Sequence, residues 1–344
     1  MTKSNILPDI FFRKFNQRKN EKKLEINTEY MINEEKYVTI GGIDQWITIR
    51  GEDRRNPVLL LIHGGPASTY TVFSSLICPW EKHFTIVQWD QRGAGKTFKR
   101  NGKEGCGKIT LNQLVEDGIE LSSLICNKLE KDKIILVGSS VGSLIATLLI
   151  KERPNLFYAY VGTDQNCFDY ENIVYQLAID ALTDAGNTRG LKFLKDLGPD
   201  QSKWTQKEFD KRNQILVKST KNVPNMVMDL ILPSMLSSPQ HNVSDLLDIF
   251  KGMKFSGDQL FNELINFNYG RLGTVFSIPF FIFQGDRDII TPTENAKRFL
   301  QEIEAPLKEF IYINNAGHLA CFARPEQFLQ ELINRVRPLA INYE

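Results

Sequence analysis

The sequence lacks the features that mark several classes of protein. Lys and Arg number 42 against 41 Asp and Glu, for a formal net charge of +1, so no excess of positive charge is present to attract nucleic acid. No stretch of about 20 apolar residues could span a bilayer. The first residues also lack an apolar core followed by a small-residue cleavage site. We therefore expect no nucleic-acid partner, no transmembrane segment and no secretion.

Cysteine is scarce, and its spacing does not match that of a metal site. There are five cysteines, an odd number, and no two of them form a CxxC pair. Such scattered residues indicate reduced thiols rather than a disulfide framework or a zinc site. We therefore expect a cytoplasmic protein with no structural metal. The cysteines are Cys78, Cys106, Cys126, Cys167 and Cys321.

The N-terminal segment, residues 1–36, is a basic arm. Its first 23 residues contain seven Lys or Arg and two acidic residues. A group of apolar residues precedes most of the basic ones: Ile6, Leu7, Ile10, Phe11, Phe12 and Phe15. We favour a solvated arm whose apolar residues dock on the domain, because charge runs are usually solvated. The alternative is a helix that makes weak contact with an anionic membrane surface.

From residue 37 onward, short apolar runs alternate with helical patterns. Continuous apolar runs are typical of strands that are covered on both faces. The predicted strands are 37–42 and 44–51, which form a hairpin, then 57–65, 84–90, 133–139, 155–164, 279–288 and 308–318. The predicted helices are 110–130, 140–154, 293–304 and 325–338. Thr110 with Gln113 three residues later predicts a capping box. The alternation predicts an α/β fold with a mostly parallel sheet flanked by helices.

The alternation is interrupted once, between about residue 166 and about residue 276. This region is polar and has helical patterns, for example in 206–219 and 243–267. We interpret residues 166–276 as an inserted helical cap. Residues 37–165 and 277–344 then form one core domain.

Three serines follow a predicted buried strand in the stretch LVGSSVGSL. A nucleophilic serine on a strand-to-helix turn requires small residues two positions before and after it. Ser139 and Ser143 fail this test because valine or isoleucine occupies their flanking positions. Ser140 passes, since Gly138 and Gly142 flank it. We therefore expect Ser140 to be the nucleophile.

A serine hydroxyl needs a base to take its proton and an acid to orient that base. The four histidines are His63, His83, His241 and His318. His318 ends the last predicted strand, where a base could reach the serine, and we interpret the other three as structural. Strand 279–284 leads into GDRD, which offers Asp286 and Asp288 as the acid. The order serine, acid, histidine is the order used by nucleophile-elbow hydrolases.

The glycine-rich stretch HGGPAS, residues 63–68, follows another predicted strand. Acyl transfer requires backbone N–H donors for the oxyanion that are in place before the reaction. We assign the N–H groups of Gly65 and Val141 to this oxyanion hole. Gly64 supports the turn, because glycine allows close approach of the backbone.

The stretch WDQRGAGKTF, residues 89–98, contains GAGKT and so resembles the end of a phosphate-binding loop. That loop requires glycine five residues before Gly95, and Asp90 stands there instead. A carboxylate at this position would repel a polyphosphate, so no nucleotide cofactor is expected. Asp90 and Arg92 are predicted to bracket a turn near the active site.

With these residues assembled, the chain resembles the α/β-hydrolase superfamily and, within it, the prolyl aminopeptidase (proline iminopeptidase) family. The resemblance covers about residues 37–338. Its motifs are HGGP (63–66), WDQRGAGKT (89–97), GSSVG (138–142), GDRDIITP (285–292) and AGH (316–318). The pair HGGP and DQRG is the specific part, since G-x-S-x-G is shared by esterases and lipases.

The resemblance implies a catalytic acid at the last position of G-x-x-D, which selects Asp288. It also implies that carboxylates of the cap bind the free amine of the substrate. The acids of the cap include Asp169, Glu171, Glu208, Asp229, Asp258 and Glu263. Two residues depart from the family pattern, because Ala67 replaces glycine after HGGP and Val141 replaces tryptophan after the nucleophile.

The sequence therefore predicts a serine hydrolase that acts on short peptides or amino-acid amides without metal or cofactor. A carboxylesterase with the same three residues is the nearest alternative. A ligand-binding member of the fold without catalysis is a further one, and the complete set of Ser140, Asp288 and His318 argues against it. The oligomeric state leaves no mark on the sequence.

Overall fold

The computed structural model describes residues 7–341, and side chains from residue 8. Its centre is one eight-stranded sheet. The strands are β1 Ile32–Ile40, β2 Ile43–Gly51, β3 Val58–Ile62, β4 Thr85–Asp90, β5 Ile134–Ser139, β6 Phe157–Thr163, β7 Phe280–Gly285 and β8 Lys308–Ile313. Their spatial order is β1-β2-β4-β3-β5-β6-β7-β8. Pairs β1/β2 and β2/β4 are antiparallel, and the other five are parallel. The predicted mostly parallel sheet is confirmed.

The sheet is covered on both faces. Every residue of β3, β4, β5 and β7 is buried. Alternate residues belong to two different apolar clusters, with Leu60 and Leu136 in one and Leu59 and Ile135 in the other. Because successive strand side chains point to opposite faces, the two clusters lie on opposite sides of the sheet. This explains the continuous apolar runs of the sequence.

Helices flank the sheet and form the insert, which we define as residues 166–276. The arm contains α1 Leu7–Phe11 and α2 Arg13–Lys23. The first part of the core contains α3 Ser74–Ile77, α4 Gly95–Cys106, α5 Leu111–Leu129 and α6 Val141–Glu152. The insert contains α7 Ile173–Asp184, α8 Thr188–Leu197, α9 Gln206–Ser219, α10 Leu232–Ser237 and α11 Val243–Ile265. The last part of the core contains α12 Thr293–Glu302, α13 Ala320–Ala323, α14 Pro325–Glu331 and α15 Pro338–Ile341.

Several boundaries differ from the sequence prediction. β1 begins at Ile32, five residues earlier than predicted, and it pairs with β2 along its whole length. β8 ends at Ile313, so the prediction that His318 ends this strand is wrong. The chain turns away there because Asn315 has a positive φ of 56°. The predicted helix 325–338 is also interrupted, by a π-helical turn at Leu332–Val336.

The predicted capping box at the start of α5 forms only in half. The Thr110 hydroxyl accepts a hydrogen bond from the Gln113 backbone N–H at 3.1 Å. The Gln113 side chain does not return to Thr110 but donates to Asp117 at 2.8 Å. The Asp117 carboxylate is buried beside Arg92, which gives the amide a charged acceptor.

The insert is anchored to the core through α11. The Ser256 hydroxyl donates to the Gly93 carbonyl oxygen at 3.2 Å. The Gln259 side chain accepts from the Ile109 N–H, and Glu263 accepts from the Leu111 N–H at 3.0 Å. Leu111 begins α5, so Glu263 satisfies one of the free N–H groups of that helix and places a negative charge at its positive end.

The N-terminal arm contacts the insert through polar side chains. Arg13 and Gln17 donate to the His241 carbonyl oxygen, and Asn20 donates to that of Ser237. Phe11 and Phe15 are 83% and 67% exposed, so the expectation that the apolar residues of the arm dock on the domain is wrong. Ile6 lies outside the described residues, and the side chain of Leu7 is not described. No helix within residues 7–341 is both long and apolar enough to cross a bilayer.

Candidate active site

Ser140 lies on a sharp turn between β5 and α6. Its backbone has φ 55° and ψ −127°, a conformation that L-residues rarely adopt. A Cβ on Gly142 would lie 2.2 Å from the Ile62 carbonyl oxygen, and one on Gly138 would lie 2.7 Å from the Ala146 Cβ. The two glycines are therefore required because the turn packs directly against neighbouring chain. This packing explains why the residues two positions before and after Ser140 are glycine.

The structure brings together the three residues proposed for catalysis. The His318 Nε2 lies 3.2 Å from the Ser140 Oγ, and the His318 Nδ1 lies 2.9 Å from the Asp288 Oδ2. Ser140 follows β5, Asp288 follows β7 and His318 follows β8. The carboxyl ends of these parallel strands share one edge of the sheet, which is why residues separated by up to 178 positions meet.

The Asp288 carboxylate is held in place by hydrogen bonds from its own loop and from β7. Its Oδ1 accepts from the N–H groups of Ile290 and Thr291 at 2.8 and 3.1 Å. Its Oδ2 accepts from the Thr291 hydroxyl at 2.8 Å and from Gln284 at 3.2 Å. Asp286, the other candidate acid, instead accepts from the Ala316 N–H and so fixes the loop that carries His318.

A second buried carboxylate lies beside His318, and no motif of the sequence singled it out. Asp164 follows β6 and is fully buried. One oxygen of its carboxylate lies within 4.8 Å of an oxygen of the Asp288 carboxylate and of a ring nitrogen of His318. It accepts from the Ser139 hydroxyl at 2.7 Å, and Ser139 accepts from Tyr70 at 2.7 Å. The sequence offered only one sign of it, which is that Asp164 directly follows the apolar run of β6.

The two carboxylates determine the protonation of His318. Burial by itself lowers the pKa of His318, but the negative charges of Asp288 and Asp164 outweigh it and raise the pKa to about 9. Burial raises the pKa of Asp164, which opposes the pull of the nearby imidazole. His318 is therefore a strong proton acceptor that is stabilised in its charged form.

The residues assigned to the oxyanion hole lie around Ser140. Gly65, Ser140 and Val141 all line one cavity. A Cβ on Gly64 would lie 2.7 Å from the Ser140 Cβ and 3.3 Å from the Val141 nitrogen, so the HGG turn packs against the serine turn. Val141 is the first residue of α6, and its N–H therefore has no acceptor within the helix.

Asp90 and Arg92 organise the turn after β4. The Asp90 carboxylate is buried and accepts from the Thr69 hydroxyl and from the Lys96 N–H. It thereby occupies the N-terminus of α4, where a phosphate would bind in a nucleotide-binding loop. The Arg92 guanidinium forms a buried ion pair with Asp117 at 2.9 Å and donates to the Gly41 carbonyl oxygen. Both residues support the turn from outside the cavity lining.

The remaining histidines have structural contacts. His63 is buried, its Nδ1 lies 3.0 Å from the Gly64 carbonyl oxygen and its Nε2 accepts from the Gln91 N–H. Burial lowers its pKa to about 4, so it stays neutral. His241 lies between Ser238 and Thr71. His83 precedes β4 and lies outside the cavity.

Asp164, Asp288 and His318 are also the group whose spacing could hold a metal ion within the described part of the chain. Each carboxylate already accepts hydrogen bonds on both of its oxygens. The imidazole nitrogens face Asp288 and Ser140. All three side chains are therefore already engaged in hydrogen-bonding contacts within the protein.

A cavity of about 1610 Å³ lies between the insert and the carboxyl edge of the sheet. Ser140 and His318 line it on the core side. Of the six acids considered in the insert, Asp169 and Asp258 line it as well. Glu171 pairs with Arg298, Glu208 caps α9, Asp229 accepts from the Asn225 N–H, and Glu263 caps α5.

Two cavity residues of α9 were not expected from the sequence. Asp210 lies near Asp258, and its pKa is raised by burial and then by repulsion from Asp258. Arg212 is buried and lines the same cavity. Both occur in the polar stretch QKEFDKRNQ, which carries no sign of which charges face inward.

The comparison with known families agrees with this architecture. A family model described as alpha/beta hydrolase fold matches residues 57–325. The chain belongs to the alpha/beta hydrolase family. The expected resemblance and the expected fold are thereby confirmed.

Relatives of this hydrolase carry aminopeptidase names. The probable aminopeptidase YbaC of Bacillus subtilis (strain 168) is 29% identical over 309 residues, which cover 88% of this chain and 96% of the relative. A proline iminopeptidase of Thermoplasma volcanium is 32% identical over 113 residues, 33% of this chain and 36% of the relative. The solved structure of a proline iminopeptidase-related protein from Thermus thermophilus has a TM-score of 0.59 and 17% identity. It covers 90% of this chain and 99% of that one.

Proposed function

We propose that this hydrolase is a serine aminopeptidase that releases N-terminal residues from short peptides or amino-acid amides. One observation supports this most strongly. The His318 imidazole lies 3.2 Å from the Ser140 hydroxyl and 2.9 Å from the Asp288 carboxylate at the wall of the cavity. This arrangement of nucleophile, base and orienting acid is suited to acyl transfer.

In the proposed mechanism, Ser140 Oγ attacks the substrate carbonyl carbon while its proton moves to His318 Nε2. Asp288 holds the His318 Nδ1–H and stabilises the imidazolium that forms. The tetrahedral intermediate then collapses, the carbon–nitrogen bond breaks, and His318 returns the proton to the leaving amine. Water attacks the acyl-enzyme with His318 again as base, which releases the acid and restores Ser140.

The N–H groups of Gly65 and Val141 are proposed to stabilise the oxyanion of each tetrahedral intermediate. Loss of one such donor typically lowers the rate by about 10²–10³-fold. Gly64 supports this role because any side chain there would collide with the serine turn. Asp90 and Arg92 keep the adjacent turn in place through buried contacts.

We also propose that residues 166–276 act as a cap over a core of residues 37–165 and 277–344. The cap supplies carboxylates to the cavity, namely Asp169, Asp210 and Asp258. A protonated substrate amine would relieve the mutual repulsion of Asp210 and Asp258. The names of the relatives agree with this choice of substrate, and five free cysteines fit a cytoplasmic location.

Labelling with a fluorophosphonate tests the nucleophile. We expect the folded protein to be modified at Ser140 and the Ser140→Ala variant to remain unmodified. Absence of labelling in the folded protein would instead favour a member of the fold that binds ligands without catalysis.

A substrate panel then tests the aminopeptidase assignment against the carboxylesterase alternative. We expect aminoacyl arylamides with a free amine, prolyl arylamide among them, to be hydrolysed, and N-acylation of the same compounds to suppress the reaction. If only nitrophenyl esters are hydrolysed, the enzyme is a carboxylesterase and the aminopeptidase assignment is wrong.

A further inference from the structure

Arg212 occupies a position of α9 that normally carries an apolar side chain. The buried residues of this helix are Arg212, Leu216 and Ser219, which lie on one face at helical spacing. Leu216 belongs to an apolar cluster that includes Leu182 and Trp204. Arg212 is 3% exposed. A guanidinium is therefore placed where the packing of the cap predicts a residue such as leucine or methionine.

Among the described residues, no carboxylate forms a hydrogen bond with the Arg212 guanidinium. Its Nη1 donates to the Asn213 side chain at 2.7 Å. Its Nε and Nη2 are enclosed and have no hydrogen-bond partner among the described residues. Asp169 is the carboxylate whose charge acts most strongly on it, but the Asp169 Oδ1 already accepts from the Val174 N–H and from Asn295. Two donors of a buried cation are thus left free.

Such an arrangement is unfavourable for the protein alone. A buried ion without a partner is strongly destabilising, and buried polar groups without a hydrogen bond are rare in native proteins. Burial lowers the pKa of Arg212 to about 10, and only the more distant charges of Asp169 and Asp288 oppose this. At neutral pH the group is still a cation.

The location of Arg212 connects it to catalysis. It lines the same cavity as Ser140 and His318. The cluster beneath its helix also contacts Ile290, a residue of the loop that holds Asp288. An anionic group bound at Arg212 would therefore belong to a molecule whose other end can reach Ser140.

We propose that Arg212 binds a carboxylate of the substrate, and that this carboxylate is the free C-terminus of the leaving group of a short peptide. The two free donors, Nε and Nη2, form one edge of the guanidinium fork, which matches the two oxygens of a carboxylate. This inference rests on the proposed function. It restricts the substrates from amides in general to peptides short enough for both ends to lie inside the cavity.

The wild-type enzyme by itself provides the first test. We compare a dipeptide with a free C-terminus, prolyl-alanine, with its C-terminal amide. A paired charge-assisted hydrogen bond predicts a kcat/KM that is about 10- to 100-fold higher for the acid. Equal rates for the two compounds overturn the proposal. A nitrophenyl succinate monoester compared with nitrophenyl butyrate shows whether the carboxylate is instead accepted on the acyl group, an outcome that would also overturn it.

Substitution of Arg212 provides the second test. We expect Arg212→Met to abolish the preference for the acid while its melting temperature stays equal or rises, because the variant removes an unpaired buried charge. Arg212→Lys should retain part of the preference. Lys218→Gln, an exposed position of the same helix, is the matched control and should change neither property. If the preference for the acid survives in Arg212→Met, Arg212 has only a structural role and the proposal is wrong.

A third measurement separates this proposal from the proposed function. Butyrate and butyramide are tested for their ability to slow fluorophosphonate labelling of Ser140, which requires no peptide turnover. We expect protection by butyrate in the wild type and its loss in Arg212→Met. If peptides are not hydrolysed but butyrate protects, the aminopeptidase assignment fails and the carboxylate site stands. If peptides are hydrolysed and butyrate does not protect, the aminopeptidase assignment stands and the carboxylate site at Arg212 is wrong.

Discussion

Replacement of Asp164 by Asn changes the charge beside His318 with little change in shape. Asp164 has a positive φ of 52°, a conformation that asparagine tolerates well. The side-chain oxygen of the asparagine can still accept from the Ala320 N–H, and its side-chain NH2 can donate to the Ser139 hydroxyl. We therefore expect Asp164→Asn to fold and to alter mainly the pKa of His318.

The size of the change follows from the distance. A full charge within 4.8 Å of the imidazole contributes about 3 kcal/mol at an effective dielectric constant of about 20, which corresponds to about 2 pKa units. Burial also raises the pKa of Asp164, which reduces the average charge of Asp164 and so makes its contribution smaller. We expect the pKa of His318, which is raised to about 9 in the wild type, to fall by about 1 to 2 units.

The pH profile of kcat/KM for nitrophenyl acetate measures this shift. In the proposed mechanism His318 must be unprotonated to accept the proton of Ser140, so activity should rise as the pH increases through the pKa of His318. In Asp164→Asn the rising limb should move to lower pH, and the alkaline plateau should fall because the imidazolium loses a stabilising charge. Asp180→Asn, which removes an exposed charge of α7 away from the cavity, is the control and should leave the limb in place. A limb that stays unchanged in Asp164→Asn would refute the assigned electrostatic role.

Three further predictions concern the scaffold. Gly142→Ala should lower the free energy of unfolding by about 1–3 kcal/mol, measured by urea titration, because its Cβ would lie 2.2 Å from the Ile62 carbonyl oxygen; an unchanged midpoint would contradict the tight turn. Thr110→Ala should lower that free energy by about 1 kcal/mol in the same assay, since it removes the cap of α5, and no change would mean that the cap is redundant. Deletion of residues 1–23 should lower the melting temperature, because Arg13, Gln17 and Asn20 lose their contacts with the insert. If the full chain co-sediments with anionic vesicles and the deletion variant does not, the arm is instead a helix that binds an anionic membrane surface.

The sequence identified the sheet and the serine turn because both depend on local rules. A strand covered on both faces must be apolar at successive positions, and β3, β4 and β5 show this directly. The serine turn leaves room only for glycine at positions 138 and 142. Such requirements act on neighbouring residues, so they can be seen without coordinates. The choice of Asp288 over Asp286 came from the family resemblance rather than from these rules.

The arm shows where local rules fail. Its apolar residues predicted docking, yet Phe11 and Phe15 face solvent while Arg13, Gln17 and Asn20 make the contacts. Exposure depends on which surface lies opposite a side chain, and the sequence does not contain that information. The same reason explains why four of the six acids considered in the insert turned out to serve caps, turns or surface ion pairs.

What the sequence by itself determined is the order of the elements, the serine turn and the set of candidate residues, since these follow from periodicity and steric limits along the chain. Only the tertiary structure decided that Asp164 lies beside His318 and that Arg212 is buried with two of its donors free. Both facts arise from the packing of segments far apart in sequence. The protonation of His318 and the charge of the cavity depend on distances in space, which no local pattern of residues encodes.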